Sequence, residues 1–81
     1  LWALAEIYRD IGYYERALPL LDSLDTLYCQ LYGEGNIKLA SVWNSRGMIQ
    51  YELSHFPAAL DAYQTSRDIY EKPSGWFLFP F

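Results

Sequence analysis

Apolar residues at Leu1, Leu4, Ala5, Tyr8 and Ile11 recur at the three-and-four spacing of one helical face, which predicts a first helix from Leu1 to about Ile11. Gly12-Tyr13 ends it, because a glycine just past the last periodic residue takes up a left-handed cap without steric cost. From about Tyr14 the positions Ala17, Leu18, Leu21, Leu24, Leu27, Tyr28 and Leu31 trace a second helical stripe. Pro19 stands near its beginning, where a missing amide hydrogen and a fixed φ do least damage. Gly33-Glu34-Gly35-Asn36 reads as a loop, with Asn36 in position to cap the next helix. A third helix is expected from about Ile37 to Leu53. Ser54-His55 then makes a short turn, and a fourth helix runs from near Phe56 to about Lys72 with Pro57 in its first turn. The expected fold class is all-α, an antiparallel helix-hairpin array.

The second half nearly repeats the first. With an offset of 42 residues, Ile7 falls on Ile49, Tyr14 on Phe56, Ala17-Leu18 on Ala59-Leu60, Leu27 on Ile69 and Tyr28 on Tyr70. A fixed period in this range signals stacked supersecondary units, each unable to bury its apolar face without a neighbour. The units are residues 1–32 and 37–72, together one repeat domain over 1–72. Leu1 aligns with Trp43, and Trp43 is preceded by a helical run-up from Ile37 to Val42, so the first copy lacks the start of its first helix. The chain reads as a piece of a longer array. Residues 73–81, with Trp76-Phe77-Leu78-Phe79-Pro80-Phe81, follow no amphipathic period and form an irregular tail. That tail is either a flap over the open end of the array or the product of truncation or an altered reading frame, and a dedicated binding tail is less favoured.

Composition narrows the function. An 81-residue chain makes one small domain, burying only about 60 % of the surface its unfolded form exposes. The net charge is −4 and the six Lys and Arg are scattered, which argues against a nucleic-acid binder and mildly favours basic partners. One cysteine, Cys29, excludes an internal disulfide or a multi-Cys metal site and suits a reducing, cytoplasmic setting. No apolar run is long enough to cross a bilayer, and no membrane partner is expected. The only histidine, His55, reads as part of a turn, and Cys29 as a packing residue. Asp22, Asp25, Asp61 and Asp68 read as a solvated face of the second helices. No phosphate loop, nucleophile elbow or metal motif is present, so an enzyme, a cofactor and a small-molecule substrate are not expected.

Gly47, Tyr51, Phe56, Ala59-Leu60, Tyr63 and Ile69-Tyr70, with Ala5, Tyr8, Gly12, Tyr14, Ala17-Leu18 and Leu27 in the first copy, resemble the signature of the tetratricopeptide repeats. Small residues at Ala5, Gly47, Ala17 and Ala59 let helices approach, and the aromatic residues fill the gaps between hairpins. The family's usual period is about 34 residues. The longer spacing here is similar to the kinesin light chain subclass, with the extra length between Leu31 and Leu39. Two positions depart from the pattern: Arg46 stands where a large apolar residue is common, and Ser66 where a small apolar one is.

The resemblance implies a right-handed solenoid whose first helices line a concave groove for a peptide of a protein partner. The groove residues would be Trp2, Glu6, Arg9 and Asp10 from the first hairpin, and Ser41, Asn44, Ser45, Met48, Tyr51 and Glu52 from the second. Asn44 can donate and accept toward a peptide backbone, and Tyr51 and Met48 offer adaptable apolar contact. Family members that hold a terminal carboxylate use a basic set on this face, which is incomplete here. Trp43 is expected in the core and Trp2 nearer the surface. The function implied is a protein-interaction module within a larger scaffold or adaptor. The alternative is a regulatory arm packing on a catalytic or DNA-binding domain of its own chain, and flanking sequence would separate the two.

Overall fold

The computed structural model describes residues 1–71, which form four α-helices: α1 (Trp2–Asp10), α2 (Tyr14–Tyr32), α3 (Lys38–Glu52) and α4 (Phe56–Glu71). The expected bounds hold to within a residue at nearly every end. Lys72 and the tail at 73–81 lie outside the described residues. Each helix packs on its neighbours in the chain: α1 on α2, α2 on α3 and, most extensively, α3 on α4. A narrow contact also joins α1 to α3. Such nearest-neighbour packing is that of a stacked repeat array.

The two hairpin turns are built alike. After α1, the Gly12 amide donates to the Arg9 carbonyl at 3.1 Å and the Tyr13 amide to the Tyr8 carbonyl at 2.8 Å. After α3, the Ser54 amide donates to the Tyr51 carbonyl at 2.9 Å and the His55 amide to the Gln50 carbonyl at 2.8 Å. This paired pattern satisfies the last carbonyls of a helix and requires a left-handed residue after the cap. Gly12 supplies it at φ 86°, and Ser54 does so at φ 63°. In the first turn the Tyr8 and Tyr13 rings stack with centroids 6.2 Å apart, while at the matching place His55 Nδ1 lies 2.9 Å from Gln50 Oε1. One turn is held by an apolar clasp and the other by a polar one.

Asn36 holds the longer connection as its position suggested. Its Oδ1 accepts from the Lys38 amide at 3.0 Å, and its Nδ2 donates to the carbonyls of Tyr28 and Gly33 at 3.1 and 2.6 Å. Pro19 corrects an expectation. It is the sixth residue of α2 and therefore lies past the first turn, where it removes the amide that would bond to the Glu15 carbonyl. Both residues are exposed, so water can serve that carbonyl.

Ala5, Ala17, Leu21, Leu24, Val42 and Ile49 form one buried cluster, against which Trp2, Tyr8, Tyr14, Leu18, Leu20 and Tyr28 pack. Within the second hairpin the helices approach closely at Gly47, where an added Cβ would stand 2.7 Å from the Tyr63 ring. Only glycine leaves room for that ring. The corresponding pair in the first hairpin is Ala5 and Leu21, so a slightly larger residue on one helix accompanies a smaller one on the other.

Both departures from the repeat pattern have partners. Ser66 is buried, and its hydroxyl donates to the Ala40 carbonyl at 2.8 Å, which removes the cost of an unpaired polar group. Arg46 crosses the α2–α3 seam to pair with Asp22 and, at 3.8 Å, with Asp25, while its guanidinium lies 4.8 Å from the Trp43 ring centroid. Asp22 and Asp25 are thus part of the seam rather than a purely solvated face. Trp43 is half-buried beneath Arg46 rather than in the core.

Candidate functional site

Helical spacing puts Trp2, Glu6 and Arg9 on one side of α1, and Ser41, Asn44, Ser45, Met48, Tyr51 and Glu52 along one side of α3. The two rows meet at Arg9. Its Nη1 donates to Ser45 Oγ at 2.9 Å and approaches Met48 Sδ at 3.8 Å. Its Nε and Nη2 donate to Asp10 Oδ1 at 3.3 and 3.2 Å. Contacts to groups on two helices hold the guanidinium in place, and the Arg9 side chain keeps only 18 % of its surface exposed.

The residues expected on this face fall into two groups. Asn44, Met48, Tyr51 and Glu52 are exposed, and Glu6 is half-buried. Asn44 Nδ2 approaches Met48 Sδ at 3.8 Å, and the Tyr51 ring meets Phe56 edge-on with centroids 5.5 Å apart. Ser45, by contrast, is only 3 % exposed and its hydroxyl is engaged by Arg9. It sits one helical turn from Ser41, on the flank of α3 turned toward α1, so it acts on the face by positioning Arg9. Trp2 is half-buried against the core cluster and is less open than its place near the chain start suggested.

Between the rows lies a hollow of about 350 Å³ lined by Arg9, Asp10, Tyr14, Met48 and Glu52. A second, of about 460 Å³, is lined by Gly12, Tyr13, Tyr14, Glu15, Arg16 and Leu53 at the turn end. Tyr14 belongs to both. Tyr14, aligned with Phe56, is expected among the aromatic residues that fill the gaps between hairpins, and it does pack against the core cluster, but its place at the hollow was not expected. The usable signal was its place one residue past a tight turn, where a ring with a polar tip stays partly wet.

Other chemistry is sparse. Cys29 Sγ lies 3.7 Å from Asp25 Oδ1, and partial burial, with the Asp25 and Glu34 carboxylates adding to it, pushes the thiol above its ordinary range. A thiol held protonated is a poor nucleophile. Among the described residues no group of three His, Cys, Asp or Glu could hold a metal ion, and no helix is long and apolar enough to cross a membrane.

A comparison with curated proteins gave no match, and neither did one with solved structures. The family model described as tetratricopeptide repeat matches residues 1–72, which takes in both hairpins. Repeats of this kind are typically interaction modules without enzymatic activity, and they generally bind protein partners. With all four helices inside that match, the chain belongs to the tetratricopeptide repeat family.

Proposed function

We propose that this chain is a protein-interaction module that holds a peptide segment of a partner on the face shared by α1 and α3, as one part of a larger scaffold or adaptor. The observation that carries the reading is the state of α3: Asn44, Met48, Tyr51 and Glu52 are exposed together beside a hollow, and Tyr51 is 57 % exposed. An amide that donates and accepts, a thioether and an amphipathic ring in one row suit an extended backbone with alternating side chains. The 42-residue offset supports a likeness to long-period members of the family such as kinesin light chain repeats, and the single cysteine suits work in a reducing, cytoplasmic compartment.

The test is a random-peptide display selection against the full chain and against an Asn44→Ala, Tyr51→Ala double variant shown by circular dichroism to be equally helical. A shared motif enriched on the parent and lost on the variant supports the groove. No enrichment on a helical parent overturns it and favours a regulatory arm that packs within its own protein.

A further inference from the structure

We infer that the α1–α3 face selects a cationic peptide segment, seating a Lys or Arg side chain in the hollow beside Asp10 and Glu52, an inference that rests on the peptide-groove reading. The carboxylates on or beside this face are Glu6, Asp10 and Glu52, and its one guanidinium is Arg9. Arg9 is already engaged by Asp10, Ser45 and Met48. An incoming peptide carboxylate would compete with Asp10 for Arg9, whose charge is already paired and whose guanidinium is tied to the buried Ser45 hydroxyl. It would do so beside Glu52. Glu6 and Glu52 have no ion-pair partner among the described residues, so their charge is available to a ligand.

The other cations among the described residues do not offset this. Arg46 is on the α2–α3 seam with Asp22 and Asp25, Lys38 lies 5.3 Å over the Tyr32 ring, and Arg67 is on α4. Arg16 borders the neighbouring hollow, where Glu15 accompanies it. The lining chemistry also fits a cation with an apolar stem. Met48 and Tyr14 give the methylenes a surface, Tyr14 adds the attraction of an aromatic face, and Glu52, helped by the Asp10 oxygen that Arg9 does not engage, receives the charged head. A guanidinium, able to stack and to bind a carboxylate through two donors, suits this better than an ammonium. The net charge of −4 steers in the same direction at longer range.

Two labelled peptide pools decide it, identical in their apolar positions and carrying either Arg or Glu at the charged ones, titrated by fluorescence anisotropy against the full chain at low and high salt. The expected result is binding of the Arg pool at least about tenfold tighter, weakening as salt screens the pairs. Glu52→Gln should reduce that preference, and Glu52→Lys should remove it while the dependence on Asn44 and Tyr51 remains. A Glu pool that binds as tightly, still requiring Asn44 and Tyr51, overturns the charge selection and leaves the groove standing. Failure of both pools to bind the folded parent overturns both readings.

Discussion

Ile7 and Ile49 occupy the same position in the two hairpins, yet Ile49 is fully buried and Ile7 is 54 % exposed. Leu4 and Arg46 show the same contrast, since Leu4 is exposed while Arg46 is covered at the seam with α2. The second helices differ in the opposite sense. Tyr14, Leu18 and Tyr28 of α2 pack against the core cluster, whereas their counterparts on α4, Phe56, Leu60 and Tyr70, are exposed. The cause is placement: among the described residues α3 has a helix on either side, and α1 and α4 each stand at an end. In a repeat array a position's burial comes from the neighbour laid against it, so equal sequence positions carry unequal energies.

The sharpest way to break this comparison is truncation at the matched isoleucines. Ile49→Ala should destabilise by about 2 to 5 kcal/mol, because it opens a cavity at a site packed from both sides. Ile7→Ala should stay within about 0.5 kcal/mol. Urea unfolding followed by circular dichroism reads both, and equal losses would mean that α1 is covered as α3 is.

A smaller effect is expected at the close helix contact. Gly47→Ala pushes a methyl into the Tyr63 ring and should cost about 1 to 3 kcal/mol. Adding Tyr63→Leu recreates in the second hairpin the Ala5 and Leu21 pairing of the first, and most of the loss should return. A double variant no more stable than the single one would show that the two hairpins do not share this volume trade.

The smallest effects belong to the turns. Nothing stands within 4 Å of a Cβ built on Gly12, so Gly12→Ala costs only its left-handed backbone, about 1 to 2 kcal/mol. Ser54→Gly, at φ 63°, should stabilise by about 1 kcal/mol for the same reason with the sign reversed. Thermal melts of the two variants should therefore move in opposite directions. If they move together, the two turns are not equivalent.

Much of this protein was legible in its sequence because the relevant physics is short-ranged. Helix extent follows from apolar spacing, the turns from Gly12 and from the Ser54-His55 match, and the loop from two glycines and Asn36, whose amide bonds reach no further than Tyr28 near the end of the preceding helix. The small residues that admit close packing, Ala5, Ala17, Gly47 and Ala59, could be named from the repeat alone, and all four are buried. The α3 row of the candidate face was named from the resemblance to the tetratricopeptide repeats, and Asn44, Met48, Tyr51 and Glu52 of that row are exposed. What only the tertiary structure decided is how the rows lie beside one another. It turned Ser45 inward to hold Arg9, put Asp22 and Asp25 against Arg46, gave the Ser66 hydroxyl the Ala40 carbonyl, brought Tyr14 to the hollow and left Ile7 uncovered where Ile49 is enclosed. The period of a helix says which residues share a face, but the partner of that face is set by the lateral position and rotation of another helix, and those depend on packing across the whole array.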